Sequence, residues 1–241
     1  FKPMKTPGIE YAGTVEAVGS QVSAFKSGDR VCGTTTGLTH GANAEYVCVP
    51  EQPKMGVIAQ IPEGVSFDDA AAATVGPMTA LFLLKKGGIK PNQHVLIYGA
   101  SGSVGSSAVQ LAKHFGAEVT GVSSSDNIDL VQSLGADHTI DYKNEDFTQT
   151  GQRYDLIFDA VGKISKSQCI GSLKENGKFI SVRSLTKENT DALKQILSLV
   201  AEGELKPVID REFALDEIIE AHRYVETGRK KGNIIIRVSE T

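Results

Sequence analysis

The chain has 241 residues, of which 40% are hydrophobic and 22% charged, a composition typical of a globular protein with a substantial core. Its net charge of −4 gives no basic field for a phosphate backbone, so nucleic acid is excluded as a default partner. The sequence has no apolar run long enough to span a bilayer, and residues 1–5 lack the apolar core of a signal peptide. We therefore expect a cytoplasmic protein of one or two domains without a membrane partner.

The first third of the chain changes from β to helical patterning. Residues 13–19, 28–33 and 44–50 are β-branched runs bounded by glycine or proline, which predict compact β structure with tight turns. Residues 67–86 are rich in alanine and leucine and predict two helices that break at Gly76-Pro77. A domain boundary is expected in this region.

Residues 95–112 form the most informative segment. Four apolar or aromatic residues are followed by three glycines spaced three apart and then by an apolar helical repeat. Glycine lets the backbone approach a ligand closely, and the N–H groups that begin a helix attract a pyrophosphate. With a strand at 118–122, the order predicts a βαβ unit that binds a dinucleotide, the alternative being a purely structural turn. The expected ligands are Gly99, Ser101, Gly102, Ser103, Val104 and Gly105.

The rest of the chain alternates predicted strands and helices. Strands at 138–141, 154–159 and 178–182 alternate with helices at 127–134 and 164–173, which predicts a parallel sheet covered on both faces. Ala160 and Val161 end a strand at the carboxyl edge, where doubly wound sheets bind ligands, so we expect them beside a nicotinamide. A helix at 190–200, a helix at 215–226 and a strand at 233–238 follow.

Three serines end the second strand of this predicted sheet, at 123–125. An acid there would hold the ribose diol of NAD, whereas hydroxyls can bind the 2′-phosphate of NADP, so NADPH is favoured and NADH is the alternative. The cation expected next is missing, because Asp126 and Asn127 follow; residues 229–231 are basic but also fit a solvated turn. A serine loop that only caps a helix is the competing interpretation. The candidate ligands here are Ser123 and Ser124.

The three cysteines, Cys32, Cys48 and Cys169, are scattered and form no C-x-x-C pair. An odd and dispersed set fits reduced thiols better than disulfides or a zinc knuckle. No metal site built from cysteine is expected.

Motifs in one order along most of the chain resemble the medium-chain dehydrogenase/reductase superfamily, in its zinc-independent quinone oxidoreductase branch. They are residues 7–15, 25–31, 41–46, 61–63, 77–80, the glycine loop, 134–137, 159–162 and 221–224. The resemblance implies a Rossmann doubly wound parallel sheet inserted into a partial GroES-like β domain. The expected domains are 1–72 (GroES-like), 73–204 (dinucleotide-binding) and 205–241 (a return segment on the β domain). It also implies a homodimer.

The same resemblance implies two segments that this sequence lacks. Family members carry a further stretch before the position of Phe1, which contributes to the substrate pocket, and a helix and sixth strand after the fifth. Here Val182 runs directly into residues 183–188, which contain no β-branched run. We therefore expect the amino-terminal part of the β domain to be missing and the activity of this shortened chain to be impaired.

The resemblance also bears on chemistry. Zinc members place a histidine where this chain has Ile9, which cannot ligate a metal, and Glu10, Cys32, His40 and Cys48 have no recognised ligand spacing, so no catalytic zinc is expected. Without a Lewis acid, hydride delivery to an already electron-poor carbon, as in a quinone or enone, is the easiest nicotinamide chemistry.

Three side chains carry further expectations. The resemblance implies that Thr79 lies on the helix that approaches the nicotinamide and that Tyr142 packs over the 2′-phosphate. For Thr79 a packed helical threonine is the alternative. Tyr46 is either a proton donor or a strand aromatic of the β core, and no catalytic residue is assigned.

The leading hypothesis is an NADPH-dependent reductase of quinones or α,β-unsaturated carbonyls. The alternatives are a non-catalytic nucleotide-sensing module and an enoyl-thioester reductase.

Overall fold

The computed structural model describes residues 6–38 and 41–238. Its strands are β1 (Glu10–Thr14), β2 (Arg30–Thr34), β3 (Ile58–Gln60), β4 (His94–Tyr98), β5 (Glu118–Ser123), β6 (His138–Asp141), β7 (Tyr154–Asp159), β8 (Leu173–Ser181), β9 (Ile209–Ala214) and β10 (Asn233–Arg237). Its α-helices are α1 (Phe67–Ala72), α2 (Val75–Gly87), α3 (Ser103–His114), α4 (Ile128–Ser133), α5 (Lys166–Cys169), α6 (Thr190–Ala201) and α7 (Ile218–Glu226).

The chain divides into two compact units. The first contains residues 1–78 and 188–241, and the second contains residues 79–187. One unit is therefore inserted into the sequence of the other, as the resemblance to the dehydrogenase/reductase superfamily implies. Helix α6, which the sequence analysis assigns to the dinucleotide-binding domain, falls in the first unit, where it packs against β3. The predicted domain boundaries stay predictions.

The first unit is built on two small sheets. Strands β1, β2 and β3 form an antiparallel sheet, while β9 and β10 pair in parallel. The strand predicted at 44–50 is absent, because within the described residues that segment has no strand beside it to complete a ladder. Strands β3 and β9 were not expected, since both depend on partners distant in sequence.

The two helices near the division break earlier than predicted. Helix α1 begins after Ser66, whose hydroxyl accepts the Asp69 N–H at 3.0 Å, and it ends before Thr74. Gly76 and Pro77 therefore lie in the first turn of α2, where proline loses nothing because its N–H would have no helical partner. Glu10 anchors this start, since its carboxylate accepts the Thr74 hydroxyl at 2.6 Å and the Val75 N–H at 2.9 Å.

The second unit contains the five-stranded sheet. All its strands are parallel, in the order β6-β5-β4-β7-β8, so the predicted doubly wound sheet is confirmed. The chain reverses direction across the sheet between β4 and β7, and doubly wound sheets bind ligands at that switch point, beyond the carboxyl ends of the strands. The core on this sheet contains Leu96, Val122, Ile140, Phe147, Tyr154, Ile157 and Cys169.

The last βαβ unit differs from its prediction. The helix expected at 164–173 is only α5 followed by a 3-10 turn, and β8 begins five residues earlier than the predicted strand at 178. The pairing of β8 with β7 skips from Leu173 to Lys178, and Asn176 within the skip has a φ of +63°. This bulge arises from the register with β7, which the sequence pattern does not encode.

Candidate cofactor site

The three glycines of the loop between β4 and α3 play different structural parts. Gly99 has a φ of +82°, and a Cβ there would lie 2.6 Å from Val161 Cγ1. A Cβ on Gly105 would lie 2.0 Å from the Gly99 carbonyl oxygen, so this glycine allows α3 to start directly against the strand end. A Cβ on Gly102 would meet nothing nearer than that oxygen at 3.7 Å. The fold therefore requires the outer two glycines, and Gly102 leaves room for a ligand to approach the backbone.

The first turn of α3 follows Gly102 directly. No side chain caps this helix at its N-cap, Gly102. The first N–H groups of a helix have no carbonyl partner inside it, so the helix start carries partial positive charge. Ser106 and Ser107 are buried, and their hydroxyls donate to the Ser103 carbonyl at 3.3 and 2.9 Å. Both hydroxyl protons are therefore used in hydrogen bonds to the backbone of the same helix. The arrangement suits an anion over Gly102.

A buried carboxylate organises the neighbouring loop after β7. Asp159 is 0% exposed, and one of its oxygens accepts the N–H groups of Val161, Gly162 and Lys163 at 3.2, 2.9 and 3.3 Å. Its other oxygen accepts the Ser181 hydroxyl at 3.0 Å, which ties the loop to β8. Asp159 belongs to the motif at 159–162 and was assigned no role from the sequence, although an acid that ends an apolar strand before Ala-Val-Gly is a usable signal.

This loop brings Ala160 and Val161 to the glycine loop. The Ala160 N–H donates to the Tyr98 carbonyl at 2.9 Å, and Val161 lies against Gly99. Val161 keeps 43% of its surface exposed, so it presents an apolar face beside the strand ends. The structure thus places these two predicted residues with the glycine loop.

The serine loop, residues 123–127, has its own hydrogen-bond network. Ser123 is 1% exposed and donates to the Ser124 carbonyl at 3.3 Å, so its hydroxyl faces the interior. Asn127 Nδ2 donates to the hydroxyls of Ser101 and Ser124 at 3.1 and 3.3 Å and so joins the serine loop to the glycine loop. Asn127 Oδ1 is buried without a protein partner. From the sequence, Asn127 was predicted to begin a helix and was noted as standing where a cation was expected.

Tyr142 lies beside the serine loop, and its packing over a 2′-phosphate, which the resemblance implies, stays a prediction. Its N–H donates to the Ser123 carbonyl at 3.1 Å, its ring centroid is 6.4 Å from that of Tyr98, and its side chain is 52% exposed. Burial, with smaller contributions from Tyr142 and Asp159, raises the pKa of Tyr98 and keeps its hydroxyl neutral. Two tyrosine rings therefore line this edge of the sheet.

The other residues singled out in the sequence have different outcomes. Thr79 is half-buried on α2 and Val104 half-buried on α3, and their contact with a cofactor stays a prediction. Tyr46 is not a strand aromatic of the core, because it is 74% exposed in a segment without a strand. Cys32 and Cys169 are buried, and burial raises the pKa of their thiols to about 12 and about 11, with Asp159 contributing at Cys169.

No group of three His, Cys, Asp or Glu side chains within residues 6–38 and 41–238 is arranged to hold a metal ion. His40, one of the residues considered as a ligand, lies outside the described residues. In the part of the chain that the structure describes, no helix is both long and apolar enough to cross a membrane.

A glycine loop and helix start at the switch point of a parallel sheet define a protein of the dinucleotide-binding class. Family models agree. A model described as alcohol dehydrogenase GroES-like domain matches residues 1–63, and two models described as zinc-binding dehydrogenase match residues 103–205 and 182–236.

Individual relatives agree as well. The chain is 36% identical to 2-methylene-furan-3-one reductase of Solanum lycopersicum and 32% identical to the chloroplastic NADPH-dependent alkenal/one oxidoreductase of Arabidopsis thaliana. Each match covers 97% of this chain and 64% of the relative, so the chain spans about two thirds of their length. The solved quinone oxidoreductase of Coxiella burnetii is 31% identical, with a TM-score of 0.88, over 96% of this chain and 79% of that one.

The chain belongs to the medium-chain dehydrogenase/reductase superfamily, in its quinone-oxidoreductase-like branch. The resemblance inferred from the sequence motifs is confirmed, as is the combination of a Rossmann sheet with a GroES-like domain.

Proposed function

We propose that this protein is an NADPH-dependent oxidoreductase that transfers a hydride to a quinone or an α,β-unsaturated carbonyl without a metal. The observation that carries the proposal is the room over Gly102, the one glycine of the loop that the fold itself does not require. Gly102 is the N-cap of α3, and Gly99 at the other end of the same loop lies against Val161. A pyrophosphate fits over Gly102 by shape and by charge.

Each part of the site has a role in this proposal. Gly102 and the first turn of α3 hold the pyrophosphate, and Ser124 and Tyr142 face the adenosine ribose and its 2′-phosphate. The loop fixed by Asp159 positions Ala160 and Val161 against the nicotinamide ring, where their apolar surface excludes water. When bound, the nicotinamide supplies the hydride.

The absence of a zinc ligand at Ile9 supports an acceptor that is already electron-poor. In a quinone or enone the negative charge that follows hydride addition spreads over the conjugated system, so a hydrogen bond to its oxygen replaces a Lewis acid. The Thr79 hydroxyl is our candidate donor of that bond. The names of the relatives, an alkenal/one oxidoreductase and a furanone reductase, agree with this acceptor class.

We also propose that the protein is cytoplasmic and forms a homodimer. The family resemblance supports the homodimer. Several relatives are named as chloroplastic, so location varies within the family. Size-exclusion chromatography with light scattering measures the oligomeric state directly.

The test is NADPH oxidation, by this chain and by a form extended to the length of its relatives, with a panel of quinones, enals and enoyl thioesters. We expect turnover of quinones or enals that depends on NADPH and is lost in Gly102→Val. Turnover of enoyl thioesters alone would instead identify an enoyl-thioester reductase. NADPH binding without turnover of any acceptor would contradict a reductase and favour the nucleotide-sensing module.

A further inference from the structure

A cation lies beside the serine loop, and it comes from a different strand than the sequence pattern suggests. Lys143 follows Tyr142 at the end of β6, and its Nζ is 3.3 Å from Asp126 Oδ2. The side chains of Lys143 and Asp126 are 49% and 79% exposed, so the pair is accessible to a ligand. The position where a cation was expected therefore holds an acid, Asp126, and this acid pairs with a lysine that follows the neighbouring strand.

The serine hydroxyls have limited capacity for a phosphate. Ser123 is buried against the Ser124 carbonyl, and Ser125 donates to Asp141 Oδ2 at 2.5 Å. Ser124 accepts a hydrogen bond from Asn127, which leaves its own proton for one acceptor. A dianionic 2′-phosphate needs more than one donor, so a second group must supply charge.

Asp141 does not compete strongly for this lysine. Its carboxylate accepts the Ser125 hydroxyl, the Lys143 N–H at 3.0 Å and Asn144 Nδ2 at 2.6 Å. These hydrogen bonds, with that of Ser125 the largest, lower the pKa of Asp141 and satisfy its oxygens locally. The Lys143 ammonium is paired with Asp126 across an exposed gap, and exposed pairs of this kind are weak.

We propose that Lys143 is the cation that recognises the 2′-phosphate of NADPH, and that Asp126 competes with the phosphate for it, so that these two residues set cofactor preference in opposite directions. The inference rests on the proposed function, because it assumes that a dinucleotide occupies the glycine loop. A flexible four-carbon stem lets the ammonium leave Asp126 for a phosphate of higher charge. The carboxylate remains nearby and reduces the gain, so this chain discriminates only moderately against NADH.

The experiment compares Lys143→Gln, Asp126→Asn and the double variant by titration with NADPH and NADH. We expect Lys143→Gln to weaken NADPH binding roughly tenfold and to leave NADH binding within about twofold, as for one screened charge-assisted contact. Asp126→Asn should strengthen NADPH binding about threefold, an effect that disappears in the double variant because Lys143 carries it. The matched control, Lys90→Gln, removes an exposed charge before the amino end of β4 and should leave both affinities unchanged.

A fragment titration separates this inference from the proposed function. Adenosine 2′,5′-bisphosphate should bind more tightly than AMP to the parent, and this advantage should shrink roughly tenfold in Lys143→Gln and persist in Lys143→Arg. If the parent binds both dinucleotides but Lys143→Gln weakens them equally or neither, Lys143 does not read the 2′-phosphate and the inference fails alone. If the parent binds neither dinucleotide, the proposed function fails and this inference with it. Melting curves of every variant confirm that the fold is retained.

Discussion

Gly102 is the glycine of the loop that no contact within the protein requires. Its neighbours in the loop are fixed by contacts within the protein, because side chains at Gly99 and Gly105 would collide with Val161 and with the Gly99 carbonyl. A Cβ at Gly102 would lie 3.7 Å from the Gly99 carbonyl oxygen, which is an ordinary van der Waals contact. Sequence spacing treats the three glycines alike, and the structure separates their roles.

This separation gives a prediction with an internal control. Gly102→Val should keep the melting temperature near that of the parent. It should weaken NADPH binding by about tenfold or more, because a branched side chain fills the space of the pyrophosphate. Gly105→Val should instead lower the free energy of unfolding by roughly 1–3 kcal/mol, because α3 must move off the strand end. Fluorescence titration and thermal melting measure the two effects. Unchanged NADPH affinity in a folded Gly102→Val would contradict the assigned pyrophosphate site.

At the scale of elements, the carboxyl edge of the sheet depends on a loop that a single carboxylate holds. Asp159 ends β7 inside the protein and collects the N–H groups of the next residues, so the loop at 160–164 has a fixed shape without regular structure. A buried acceptor with several donors is costly to remove, because each donor is left without a partner. Asp159 is thus a positioning residue that acts through Ala160 and Val161.

We predict that Asp159→Asn weakens NADPH binding several-fold while leaving the affinity for adenosine 2′,5′-bisphosphate unchanged. The amide keeps the size of the side chain but loses its charge and half of its acceptor capacity, so the loop against the nicotinamide loosens, whereas the adenosine end is held elsewhere. Calorimetric titration of both ligands measures the difference. An equal loss for both ligands would indicate a general loss of structure and refute the positioning role.

Elements also show where pattern reasoning fails. The strands β4 and β5 were predicted from the βαβ order around the glycine loop. Strand β7 was predicted with them because its apolar residues Ile157 and Phe158 are typical of a strand covered on both faces. Strand β3 has only three residues and is a strand because β2 lies beside it, and β8 was predicted too short because a bulge hides its first half. Pairing partners distant in the chain decide such elements, and no local pattern reports them.

At the scale of the whole molecule, the absence of a histidine at Ile9 bears on the reaction class. Two of the matching family models describe zinc-binding dehydrogenases, so a measurement of metal content tests whether this chain differs from that description. We predict that elemental analysis of the purified protein finds well below one zinc per chain, and that a chelator leaves quinone or enal reduction unchanged. Activity lost to the chelator and restored by zinc would show that other residues supply the ligands.

The sequence by itself determined the class of fold, and it predicted a place for the cofactor site. The glycine spacing, the strand before it and the helix after it are local features. They can be identified from neighbouring residues alone, without knowledge of the tertiary structure. Alternating strands and helices then allow few topologies other than a doubly wound sheet.

Only the tertiary structure decided how the site is held and charged. Asp159 reaches Ser181, and Asp126 meets Lys143 seventeen residues away, because parallel strands bring their carboxyl ends to one edge. No cation stands just after the serines in the sequence, whereas the fold brings Lys143 of a neighbouring strand to Asp126. Contacts between residues remote in sequence depend on strand order and register, and these are properties of the folded chain.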